Sequence, residues 1–98
     1  MAIGVLFDMP GMTSEQYDEI CRGLNNGRLF TALAQWPEHG ILSHVAGPTP
    51  GGGWRVVDVW ESEEAFQRFG QKLMPLLQQA GLAGGAPELF PVHNVVTQ

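Results

Sequence analysis

Residues 53–62, reading GWRVVDVWES, run a strand signal straight into a helix cap. Trp54, Val56, Asp58 and Trp60 alternate with Arg55, Val57, Val59 and Glu61, the two-residue period of a pleated strand rich in aromatic and β-branched residues. Both sets are largely apolar. A strand with one wet face carries polar residues at every second position, so this pattern calls for cover on both sides. Ser62 then offers a hydroxyl to the free amides of a following helix, and Glu63 and Glu64 set negative charge in its positively polarised first turn. The rest of the chain has to be arranged around a strand covered on both faces and a helix leaving its end.

Upstream, residues 2–9 form an apolar run whose only charge, Asp8, arrives late, which reads as a first strand. Pro10 and Gly11 turn the chain; Thr13 and Gln16 then stand at the spacing of a capping box, with Met12 and Tyr17 as the matching staple. Tyr17, Ile20, Cys21 and Leu24 recur at helical spacing and predict a helix over residues 14–24 with one apolar stripe. Asn25, Asn26 and Gly27 end it, and a separate short helical piece is expected at 29–35. Trp36 and Pro37 break any helix, and Glu38, His39 and Gly40 complete a polar loop. Residues 41–46, ILSHVA, read as a second strand with His44 in its middle. Residues 47–53, GPTPGGG, hold two prolines and four glycines and are expected as a flexible hairpin loop rather than a regular element. That loop pairs the second and third strands antiparallel and leaves their register open by one residue either way.

After Ser62, the stripe of Phe66, Phe69, Leu73, Leu76, Leu77 and Ala80 predicts a second helix, with a kink or break near Met74 because Pro75 removes a backbone donor. Gly81 and residues 83–87 form a loop of small residues. Residues 88–97 read as the last strand, with Leu89, Pro91, His93 and Val95 on one face; Pro91 places it at an edge or a bulge. The order β-α-β-β-α-β makes an α+β, ferredoxin-like protomer in which two helices cover one face of a four-stranded antiparallel sheet. All 98 residues then belong to a single domain. Its other face, equally apolar, is expected to meet a second copy of the chain in a homodimer.

With this element order, and with VVDVWESEEAF at residues 56–66, the chain resembles the dimeric α+β barrel superfamily and, within it, the small antibiotic-biosynthesis-monooxygenase-like proteins. The resemblance spans the whole chain and implies a homodimeric barrel; activities in the group include cofactor-free oxygenation of polycyclic phenols, haem degradation and isomerisation. The oxygenases of the group surround an aromatic substrate with asparagine, tryptophan and tyrosine, and Trp60 here fits the tryptophan part. A haem-degrading relative needs an asparagine on the first strand and a histidine on the second helix, where this chain has Asp8 and no histidine.

Beside the resemblance stands a set of polar residues on strands that otherwise look buried: His44, Asp58 and His93, with Trp54 and Trp60 flanking Asp58. An unpaired buried polar group costs roughly 1–3 kcal/mol, so each calls for a partner, solvent or a ligand. One reading makes His44, Asp58 and His93 catalytic in a cleft between two sheets, Asp58 orienting a histidine that moves a proton on a bound molecule, with Trp54 and Trp60 binding the substrate. The structural alternative pairs Asp58 with His44 across the hairpin, or with Arg55 or a backbone amide at the dimer seam, and makes the tryptophans core or interface residues. His44 and Asp58 share a face only if their pairing places them directly opposite or an even number of residues apart. His39, His44 and His93 lack ligand spacing, so no metal is expected, and no cofactor is called for.

The formal charge of -5, with five Lys and Arg in total, argues against nucleic acid and anionic membranes as partners. No apolar run approaches a membrane span, the start lacks the pattern of a signal segment, and Cys21 is the only cysteine, so a cytoplasmic protein is expected. The function these features favour is binding or turnover of a small hydrophobic or aromatic metabolite between two sheets; the alternative is a non-catalytic structural or stress-related homodimer whose barrel is packed solid.

Overall fold

The computed structural model describes residues 1–82 and 86–97. In chain order the elements are β1 (Ile3–Pro10), α1 (Ser14–Leu24), β2 (Ile41–Thr49), β3 (Gly53–Trp60), α2 (Glu63–Gln79) and β4 (Glu88–Pro91), with one 3₁₀ turn, Leu33–Gln35, between α1 and β2. The strands form one sheet in the order β2-β3-β1-β4, every pair antiparallel. This is the expected α+β, ferredoxin-like arrangement.

Local chemistry starts both helices where the sequence predicts. The Thr13 amide donates to Gln16 Oε1 at 3.0 Å while the Gln16 amide donates to Thr13 Oγ1 at 3.2 Å, closing the capping box of α1. The Ala65 amide donates to Ser62 Oγ at 3.1 Å at the start of α2. The alternation of β3 then sorts its faces. Val56, Asp58 and Trp60 are buried together with Ile3, Val5 and Phe7 of β1, against Ile20 of α1 and Phe66, Phe69, Leu73 and Leu77 of α2. Trp60 lies 5.0 Å from Phe69 and meets Phe66 edge-on at 6.1 Å, and Phe7 is 6.0 Å from Phe66, all between ring centroids. Both helices therefore cover one face, and Asp58 points at them rather than away.

The opposite face carries Leu6 of β1, Val57 and Val59 of β3, Val45 of β2 and Phe90 of β4, with Leu6 and Val45 both opposite Val57. Val45 is 67% exposed and Phe90 43%, so this apolar face has no cover among the described residues. Phe90 lies across Gly4: a Cβ added to Gly4 would fall 2.1 Å from Phe90 Cζ.

Four local expectations are corrected. β2 continues to Thr49 through Pro48, inside the stretch read as loop, because β2 is an edge strand and a proline there loses no ladder bond it needs. α2 runs unbroken through Pro75, which lies on its exposed side, where the carbonyl freed one turn back faces water. The last strand ends at Pro91 rather than 97; one further bond, Val92 N–H to Ala2 O at 3.0 Å, follows it, and Val95 and Val96 are exposed. The helical piece expected at 29–35 shrinks to the 3₁₀ turn, which the Gln35 side chain ties back to the amides of Thr31 and Ala32. The loop expected at 83–87 falls in part, at 83–85, outside the described residues.

Candidate active site

The hairpin closes Thr49 on Gly53, and this register places His44 of β2 directly opposite Asp58 of β3. Leu42 is then one residue too many and bulges out, which lets Ile41 stay opposite Trp60 and buried. His44 and Asp58 consequently share the helix-covered face. Asp58 is only 2% exposed. A carboxylate so deep needs donors on both oxygens: His44 Nδ1 lies 2.5 Å from Oδ1, and Trp60 Nε1–H donates to Oδ2 at 3.4 Å. Arg55, the other partner considered, turns to the opposite face and pairs with Asp8 at 3.3 Å.

Because the Asp58 carboxylate accepts, His44 Nδ1 is the donor, and in the neutral ring Nε2 is left as the acceptor. Tyr17 Oη of α1 stands 2.6 Å from that nitrogen and donates to it. The result is a carboxylate, imidazole and phenol in series. Burial, with the Cys21 thiol beside it and the Asp58 and Asp18 charges nearby, holds the Tyr17 phenol well above its usual value, so it stays protonated. Burial likewise pushes the Cys21 thiol up, which leaves it an unreactive neutral group in the wall.

The series ends at a two-part space. A small apolar cavity of about 50 Å³, roomy enough for a few waters, lies between sheet and helices, walled by Phe7, Met12, Ile20, Val56, Phe69 and Leu73. An open groove of about 370 Å³ lies outside it under the segment that carries Leu29, Thr31 and Leu33. Tyr17, Cys21, Phe30, Trp36 and His44 line both, and so form the partition. Phe30 stacks on Trp36 at 3.9 Å between centroids, and Trp36 lies 4.8 Å from the His44 ring. The strap holding Trp36 is pinned to α2: Lys72 Nζ donates to Pro37 O at 2.6 Å and pairs with Glu38 at 3.0 Å, and Arg68 reaches Glu38 at 3.3 Å. Hydrogen bonding from Lys72 holds the Glu38 carboxyl below its ordinary value.

Of the residues singled out from sequence, the structure brings His44 and Asp58 together and leaves the others at different distances. His93 is exposed, two residues past β4, on the far side of the sheet from β2, because β3 and β1 separate those two edge strands. Trp60 is wholly buried and reaches the site only through its N–H to Asp58, so it offers no surface to a substrate. Trp54 packs on Tyr17 at 5.3 Å with its indole N–H buried and unpartnered, but it does not line the cavity. The space itself lies between sheet and helices of one chain, not between two sheets. The sequence pattern places Tyr17 only on the apolar stripe of α1; the signal that marks it is a phenol hydroxyl on that otherwise apolar stripe, which needs a partner once buried.

The fold is that of a small ferredoxin-like α+β protein, in which Asp58, His44 and Tyr17 stand in series beside an apolar pocket under the helices. No protein-family model matches the sequence, and no curated protein sequence matches it significantly. Solved structures do. A candidate antibiotic biosynthesis monooxygenase from Chloroflexus aurantiacus superposes with a TM-score of 0.61 at 15% identity, covering 98% of each chain. SnoaB, a cofactor-independent oxygenase from Streptomyces nogalater, superposes with a TM-score of 0.59 at 13% identity over 99% of this chain and 96% of its own. Rv0793 from Mycobacterium tuberculosis gives 0.62 at 11% identity over 99% and 98%. The chain has the monooxygenase-like α+β fold from end to end. Among the described residues no helix is long and apolar enough to cross a membrane.

Proposed function

We propose that the protein binds a small hydrophobic or aromatic metabolite in the space between its sheet and helices and turns it over as a cofactor-free, monooxygenase-like enzyme. The observation that carries this is the Asp58–His44–Tyr17 series, built into the wall of an apolar pocket. Asp58 fixes the tautomer and stabilises the imidazolium that forms when His44 takes up a proton, the task of a general base. Loss of that proton leaves an electron-rich substrate anion. In an oxygenation without cofactor the substrate supplies the electrons: a CH₂ group becomes C=O, and O₂ gives one atom to the product and the other to water. SnoaB, similar in fold, is described as a cofactor-independent oxygenase, which supports the reading. We assign the uncovered apolar sheet face to a second copy of the chain, and take the protein to act in the cytoplasm, in keeping with its lone buried cysteine.

Native mass spectrometry on gently purified protein tests this. The expected spectrum is a dimer carrying a reproducible extra mass from an apolar compound. Turnover of that compound under air should then fall by roughly 100-fold or more in His44→Ala, the usual contribution of a general base. Unchanged turnover in that variant defeats the proposal. The small volume of the cavity favours a second reading, a non-catalytic structural or stress-related homodimer; on that reading His44→Ala changes stability alone.

A further inference from the structure

The cavity between sheet and helices is too small, as it stands, for a ligand the size of an aromatic ring. It holds about 50 Å³, against the roughly 150 Å³ in which a single benzene ring binds. Beyond its partition lies the groove of about 370 Å³. The five side chains of that partition are held in two different ways. Tyr17 and Cys21 sit on α1 and His44 on β2, with Tyr17 bonded to His44 and His44 to Asp58. Phe30 and Trp36 belong instead to the strap between α1 and β2, whose one regular piece is the 3₁₀ turn Leu33–Gln35. They stack on each other at 3.9 Å, so the two rings move as a unit.

The strap has a pivot at each end. Asn26 and Gly27 follow α1 in left-handed backbone, at φ 55° and 87°, and Gly40 precedes β2 at φ 109°. Near the second pivot the strap is fastened to α2: Lys72 Nζ donates to Pro37 O at 2.6 Å and pairs with Glu38 at 3.0 Å, while Arg68 reaches Glu38 at 3.3 Å. Both cations are half-exposed, so salt reaches and weakens this fastening. Leu29 and Leu33 stand partly exposed along the groove, where a ligand seated under the strap would cover them.

Taking the pocket as the small-molecule site proposed above, we propose that the strap is its gate: Phe30 and Trp36 swing out together, cavity and groove become one space, and the ion pairs of Glu38 with Lys72 and Arg68 set how often this happens. Entry of a ligand is then limited by opening of the strap, not by encounter.

Stopped-flow fluorescence with N-phenylnaphthylamine, an uncharged apolar dye, tests the inference. On wild type the observed rate should level off as dye is raised, because opening precedes binding. The plateau should rise about twofold between low salt and about 0.5 M sodium chloride. Glu38→Gln should raise the low-salt plateau about threefold, the weight of exposed ion pairs, and abolish the response to salt. Asp8→Asn neutralises a carboxylate in the Arg55 pair, away from the strap, and should behave as wild type. A rate that climbs in proportion to dye throughout, a Glu38→Gln variant indistinguishable from wild type, or an Asp8→Asn variant that matches Glu38→Gln overturns the inference and leaves the pocket reading standing. Methyl NMR locates the dye, with shifts at Val56, Leu73 and Leu77 marking the pocket. Absence of binding, or shifts confined to Val45 and Val59 on the uncovered face, removes the pocket reading and this inference with it.

Discussion

Asp58 shows how one residue binds stability and chemistry together. A carboxylate 2% exposed survives in the core because His44 and Trp60 both donate to it, and the same two bonds fix which nitrogen of His44 is basic. Tyr17 completes the set at a cost that depends on pH. Its phenol is held above the ordinary value of 10.0 in the folded chain, chiefly by burial. The unfolded chain therefore ionises first, so the stability this group contributes is whole below that value and is lost as pH rises beyond it toward the folded value. Urea unfolding should show wild type losing stability above about pH 10 more steeply than Tyr17→Phe, which has no phenol to ionise; parallel curves would show that Tyr17 is not buried as described. The sequence marked Asp58 and His44 by their placement on apolar strands, and missed Tyr17 because an apolar stripe hides a hydroxyl that needs a partner 27 residues away.

Among the elements, those bounded by local chemistry are the ones the sequence located best. α1 spans Ser14–Leu24, as its capping box and stripe require, and α2 begins after Ser62. The elements misjudged were those whose limits depend on neighbours. Pro48 continues β2 because that strand's outer edge is free, and Pro75 stays in α2 because its side faces water. β4 shows the converse: its strand-like composition runs to residue 97, yet pairing with β1 ends opposite Ile3, where β1 itself begins. β4 is held in part by Phe90 lying over Gly4, the one place in β1 where a side chain has no room. Because the atoms it would meet are the ring tip of a half-exposed side chain, Gly4→Ala should swing the Phe90 ring aside and cost at most about 1 kcal/mol, less than overpacking in a closed core. Thermal unfolding together with faster amide exchange confined to β4 would show it; a large drop in melting temperature would mean that the ring is held in place by more than Gly4.

For the whole molecule the question is what covers the second face of the sheet. Leu6, Val45, Val57, Val59 and Phe90 form an apolar surface that none of the described elements covers, and a matching copy is the simplest cover for it. Val59 lies on that face, whereas Trp60, its neighbour in sequence, is wholly buried under the helices. Val59→Lys should therefore convert a dimer to a folded monomer by light scattering, with far-ultraviolet circular dichroism retained; a dimer that persists would place the interface elsewhere. A charge at Trp60 would unfold the chain and report nothing about assembly.

Taken alone, the sequence determined the order of elements, the two helix caps, and the alternation that sets Val56, Asp58 and Trp60 on one face of β3, since each depends on residues within a turn or two of chain. Tertiary structure decided the rest. It chose which face the helices took, and it seated Thr49 on Gly53 so that His44 met Asp58. It also swung Tyr17 in from α1 and left His93 at the opposite edge of the sheet. Those outcomes turn on register and on packing between distant segments, where a shift of one residue moves a side chain to the other face.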